Sequence, residues 1–146
     1  MRNTRHWVVL LLIIACLQIS ACTPKGTGVE KIQPFQLESV DGTDFKTIRL
    51  TEKAAERLAI QTAPVRNTLI NGSQRKVIPY AAVMYSLDGG TFVYKNPEPL
   101  VFIRHIIVID YIEGDLAVLL EGPAADTAVV IVGAAELYGA EIGVSK

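Results

Sequence analysis

The sequence predicts a mainly β domain, a small barrel or sandwich, with one short α-helix near residues 51–59. Two observations carry that expectation. Between residues 77 and 137, β-branched and aromatic runs recur at roughly ten-residue spacing, cut by turn clusters at Leu87-Asp88-Gly89-Gly90, Asn96-Pro97-Glu98-Pro99, Glu113-Gly114-Asp115 and Gly122-Pro123. No apolar helical period there is long enough for a crossover between parallel strands.

Taken in order, Lys46–Leu50 alternates apolar and polar side chains and reads as a short strand. Thr51 suits a helix N-cap, and Glu52 puts an acid in the first turn, where the dipole favours it. Ala54, Ala55, Leu58 and Ile60 form the apolar stripe, and Pro64 ends any helix before it. An extended segment over 60–70 leads to Asn71-Gly72, a strong hairpin signal, and a strand near 75–79. Residues 82–85 and 91–94 read as a hairpin about Asp88-Gly89-Gly90. Pro97 and Pro99 predict a loop or edge. Residues 100–111 read as the longest strand, apolar on both faces, followed by strands over 116–120 and 127–132.

The N-terminus has a different character. Residues 1–6 carry Arg2 and Arg5, and an uninterrupted apolar run of 11 residues follows from Trp7 to Leu17. That is too short to span a membrane, which takes about 20 residues, and it matches a signal-peptide core. The segment closes on Ser20-Ala21-Cys22, which resembles the bacterial lipobox. Residues 1–21 are therefore expected to be a lipoprotein signal peptide and Cys22 the lipidated residue. Each buried CH₂ of its chains would add about 0.8 kcal/mol of membrane affinity. Cys16 lies inside the apolar run, in the part expected to be removed. Residues 22–44 contain Pro24, Gly26, Gly28, Pro34 and Gly42 and read as a flexible tether, which leaves 45–146 as the β domain. The expected location is the bacterial envelope, facing the periplasm. Thr23, in place of an aspartate, favours the outer over the inner membrane.

Charge excludes one class of partner. Residues 1–21 hold two arginines and no acid, so residues 22–146 carry 12 basic and 15 acidic side chains, a net −3. That balance argues against nucleic acid. Catalytic constellations are equally missing from the sequence. There is no P-loop, EF-hand, CxxC or G-x-S-x-G, and neither cofactor nor metal is expected. His105 is the one histidine after residue 21, on an apolar strand. A metal or small-molecule site would be sought there, with Asp110, Tyr111 or Glu113. Tyr80, Tyr85, Phe92, Tyr94 and Phe102 alternate with apolar residues, which fits core or edge packing or, alternatively, a partner-facing patch. The candidate partner contacts are Tyr80, Phe92, Tyr94, Phe102 and Arg104.

Several phrases, in order, resemble one family. They are Leu50-Thr51-Glu52-Lys53-Ala54-Ala55-Glu56-Arg57-Leu58-Ala59-Ile60-Gln61-Thr62-Ala63-Pro64-Val65, Val77-Ile78-Pro79-Tyr80-Ala81-Ala82-Val83, Gly90-Thr91-Phe92-Val93-Tyr94, Phe102-Ile103-Arg104-His105, Glu113-Gly114-Asp115, and Val130-Ile131-Val132-Gly133-Ala134-Ala135-Glu136-Leu137. Together they look like the periplasmic adaptors of RND-type efflux systems, the membrane fusion proteins of the HlyD-like class. In those adaptors a β-barrel, a lipoyl-like domain and a coiled-coil hairpin separate the first phrase from the rest. Here residues 66–76 alone lie between them. The resemblance therefore implies the membrane-proximal domain by itself, a β module that contacts the inner-membrane transporter. It implies a non-catalytic accessory subunit whose partner is an RND transporter or a full-length adaptor. The alternative expectation is a stand-alone periplasmic lipoprotein that binds a small molecule or a metal.

Overall fold

A computed structural model describes residues 33–143. The expected signal peptide, Cys22 and residues 22–32 of the expected tether lie outside the described residues. Among the described residues, no helix is long and apolar enough to cross a membrane.

The expected β architecture is present, as two antiparallel sheets with short helices. The strands are β1 (Phe35–Ser39), β2 (Lys46–Leu50), β3 (Gln61–Pro64), β4 (Arg66–Ile70), β5 (Ser73–Pro79), β6 (Met84–Tyr85), β7 (Thr91–Glu98), β8 (Val101–Ile106), β9 (Val108–Glu113), β10 (Leu116–Glu121) and β11 (Ala128–Val132). Helix α1 is Glu52–Arg57 and α2 is Ala134–Glu141. The large sheet runs β1-β2-β8-β7-β11-β3, with β6 also on β7, and the small sheet runs β4-β5-β10-β9.

Strand β7 shows how the layers stack. Phe92 and Tyr94 point to one face, where Ile48, Phe102, Val130, Ala54 of α1 and Ala134 and Leu137 of α2 meet them. Val93, between them, points to the other face and packs with Ile78, Ala117 and Leu119 of the small sheet. The large sheet is thus the middle of three layers, and β7 is buried on both faces.

Helix α1 begins where the sequence places it. The Ala54 N–H donates to Thr51 Oγ1 at 3.2 Å, and Thr51 N–H to the Pro34 carbonyl at 3.1 Å. It ends in a Schellman turn: Ala59 N–H bonds Glu56 O at 3.0 Å, and Ile60 N–H bonds Ala55 O at 3.2 Å. The turn places Ala59 at φ 48°, a left-handed conformation that glycine normally supplies. At Asn71-Gly72 both residues have positive φ, 51° and 79°, as a type I′ hairpin requires between β4 and β5.

Four expectations need correction. The tether does not extend to residue 44, because Phe35–Ser39 pairs with β2 from Phe35↔Leu50 to Ser39↔Lys46. Scattered prolines and glycines hid a strand whose side chains are mostly exposed. Residues 100–111 are two strands. Ile107 donates to Thr91 O at 3.0 Å and accepts from Thr91 Oγ1 at 2.8 Å, so it still belongs to the large sheet, whereas Val108 already pairs with Glu121 in the small one. A strand that changes sheets is apolar on both faces for two different reasons. Pro97 lies inside β7, at a register shift between Lys95 and Glu98 that removes the need for its missing N–H. Finally, α2 follows β11 directly. Gly133 caps it at φ 88°, and a Cβ there would lie 2.2 Å from Ile60 Cδ1.

Two substitutions test this local structure. Ala59→Gly is expected to stabilise the fold by about 1 kcal/mol, by relieving the left-handed strain. Gly133→Ala is expected to lose about 2 kcal/mol, since strain and the clash with Ile60 add. Denaturant midpoints moving in the opposite directions would disprove both cap assignments.

Candidate functional site

The five candidate partner contacts separate into three groups. Phe92, Tyr94 and Phe102 are 2%, 0% and 2% exposed and form the core between the large sheet and the helices. They are not available to a partner, because α2 covers the face that would have carried them. Arg104 is half-buried and bound to Glu141. Tyr80 alone of the five is exposed.

Glu141, near the end of α2, is a buried carboxylate that gathers three strands. Its Oε2 accepts from Arg104 Nε at 3.1 Å, from Arg104 Nη2 at 2.9 Å, and from the Tyr94 hydroxyl. Its Oε1 accepts from the Lys46 N–H at 3.3 Å. The Arg104 guanidinium lies 4.4 Å from the Phe92 ring centre, 4.9 Å from Tyr138 and 5.3 Å from Phe45. Burial alone would depress the Arg104 guanidinium, but the Glu141 hydrogen bond and charge outweigh it and raise its pKa. Burial, then the bond to Glu141, raises the Tyr94 phenol. Both groups stay protonated across the physiological range. The cluster is a fixed set of donors closed on one acceptor, so it pins α2 rather than moving protons. No sequence pattern marked Glu141. The spacing of 37 residues from Arg104 gives no local signal.

His105 does not meet the side chains proposed to join it in a site. It stands on β8 in the large sheet, while Asp110, Tyr111 and Glu113 are on β9 in the small one. Asp110 is paired with Arg75. Among the described residues, no three potential metal-ligating side chains gather anywhere. His105 is instead flanked by cations. Burial first, then the charges of Lys95 and Lys76, lower its pKa.

One end of the sandwich is apolar and exposed. Tyr80 and Tyr85 bring their hydroxyls within 3.2 Å, and Leu87, on the loop from β6 to β7, is 91% exposed. That loop is internally braced. Ser86 N–H donates to Gly90 O at 2.9 Å, Gly89 N–H to Ser86 O at 3.0 Å, and the Ser86 hydroxyl to the Asp88 carboxylate. The serine bond, with backbone N–H support from Gly90, lowers the Asp88 pKa, and the hydrogen bond with Tyr80 raises that of Tyr85. Tyr85 shares the alternation of the other aromatics, whereas Leu87 carries no such signal, because its exposure follows from its place at a turn.

Comparison with protein-family models, with curated proteins and with solved structures found no match.

The His105 environment has a measurable consequence. Its ring resonances are expected to titrate below the ordinary value of about 6.5, and Lys95→Met should move the midpoint upward. Because the native pKa is the lower one, the unfolded chain binds the extra proton. Stability should be full above about pH 6.5 and fall as pH drops through the native value, a loss absent in His105→Gln. A midpoint at or above that of an exposed histidine would contradict this placement.

Proposed function

We propose that the protein is a non-catalytic, lipid-anchored envelope module that docks on a protein partner as an accessory subunit of a transport complex. The observation that carries this reading is the braced apolar end formed by Tyr80, Tyr85 and Leu87. Exposed aromatic and aliphatic side chains on a rigid support lose little entropy on binding, and they are the groups that dominate interface energies. The partner class, an RND-type transporter or full-length adaptor, rests on the resemblance of the sequence phrases. It gains support from the topology: Lys46–Leu50 and Gln61–Pro64 join β7, β8 and β11 in one sheet, so the separated phrases share a single module.

The position of the end suits a tethered protein. The described chain enters at Pro34, beside Thr51 and the Leu50–Leu100 contact. From there β8 runs to Ile106, opposite Phe92, and Thr91 next to it pairs with Tyr85. The apolar end is thus some six strand residues away, about 20 Å. The docking end lies away from the point where the described chain begins.

Two of the candidate ionisable side chains are already engaged, which fits a binding role. Arg104 is held by Glu141, and Asp110 is held by Arg75.

Affinity capture from cross-linked membranes tests the reading. The full chain is expected to enrich an RND transporter or adaptor, and the double variant Tyr85→Ser, Leu87→Ser to reduce that recovery at least about tenfold without loss of the fold. Cys22→Ser should leave the protein in the soluble fraction. Equal recovery with the double variant would rule out this surface.

A further inference from the structure

Three basic side chains enter the layer between the two sheets from facing strands. His105 pairs with Val93, so it shares that residue's face, and Lys95, two residues along β7, shares it too. Val93 belongs to the core between the sheets. Lys76 pairs with Leu119, which lines the same core from the small sheet. All three are half-buried at its margin.

Their partners are the unusual part. Residues 33–143 contain nine basic and fourteen acidic side chains, so carboxylates are plentiful. Yet the ion pairs among the described residues use Arg49, Arg75 and Arg104, and no carboxylate of the described residues lies within 4.0 Å of Lys76 or Lys95. Lys76 is held in place by two carbonyls, Gly122 at 2.9 Å and Pro123 at 3.4 Å. An ammonium has three N–H groups, so one remains. No side-chain nitrogen among the described residues is both buried and unpartnered, so Lys95 and His105 keep their donors facing solvent. The depressed His105 pKa has the same origin, since it is set by burial and by Lys95 and Lys76 with no compensating acid.

A groove adjoins the cluster on the Lys76 side. Asn67 pairs with Lys76, and Gln74 precedes it by two residues, so all three share one face. The groove is closed across from them by Ala124 and Ala125. Its floor offers amide donors beside an ammonium, which suits an oxygen-rich anion and repels a metal cation.

We propose that the inter-sheet margin formed by Lys76, Lys95 and His105 binds a small oxyanion of the phosphate or carboxylate class. Lys95 and Lys76 supply the charge, His105 a ring donor, and Asn67 and Gln74 hydrogen bonds from the groove. The site is independent of the docking end, which uses the loop from β6 to β7, so either can fail without the other.

The test is a titration of the full chain, isotope-labelled and held in nonionic detergent at fixed pH. One arm uses inorganic phosphate against sodium chloride at matched ionic strength. The other uses detergent doped with phosphatidylglycerol, against phosphatidylcholine, and separates a headgroup from a free anion. Saturable shifts of His105 and Lys95 in either arm are expected. Lys95→Met should weaken them by about tenfold, the loss of one charge-assisted hydrogen bond. His105→Gln serves as a second variant in which the core is undisturbed. Shifts that track ionic strength alike in phosphate and chloride, with no response to the lipid, would overturn the proposal. So would saturation that both variants leave unchanged.

Discussion

The contact on which the three-layer arrangement depends is the carboxylate of Glu141. Helix α2 has eight residues, too few to be stable alone. It buries Leu137 and the small Ala134 against the large sheet. Glu141 adds bonds to Tyr94 on β7, Arg104 on β8 and Lys46 on β2. A single side chain thus ties the C-terminal helix to three strands that are far apart in sequence. Removing the carboxylate would leave a guanidinium half-buried among aromatic rings and a tyrosine hydroxyl without its acceptor, a situation that typically costs about 3–5 kcal/mol.

Once both faces of the large sheet are covered, its core side chains are closed to any partner. The helices close the face of Phe92, Tyr94 and Phe102, and the small sheet closes the face of Val93 and Val129. The surfaces that remain include the tyrosine end with Leu87 and the open margin between the sheets where Lys76, Lys95 and His105 lie. The two surfaces differ in chemistry: one is apolar and braced by a turn, the other cationic and half-buried. A module with two such surfaces can meet a protein at one and a small anion at the other.

Much of the fold was legible because local signals agreed with it. Thr51, Asn71-Gly72 and Gly114-Asp115 each mark a cap or turn by side-chain chemistry, and each is one. The β-branched runs marked the strands. Failures arose where tertiary structure decides. Leu100 to Tyr111 is apolar on both faces whether it stays in one sheet or changes sheets at Ile107, so alternation could not separate the two. Phe35–Ser39 is mostly exposed and gains its order from pairing with β2. Helix α2 has only a short local signal, the run of good helix formers from Ala134 to Leu137 after Gly133. Without that helix, Phe92 and Phe102 looked free to meet a partner. Of the candidate surface, Tyr80 was legible; Leu87 and the Lys76–Lys95 cluster were not, since they depend on which strands face each other.

A double-mutant cycle on Arg104 and Glu141, followed by denaturant unfolding, tests the central constraint most directly. Arg104→Met and Glu141→Gln are each expected to destabilise by about 3 kcal/mol or more, and the double variant by much less than the sum. Additive effects, or single losses below about 1 kcal/mol, would contradict the view that this carboxylate holds the helix on the sheet.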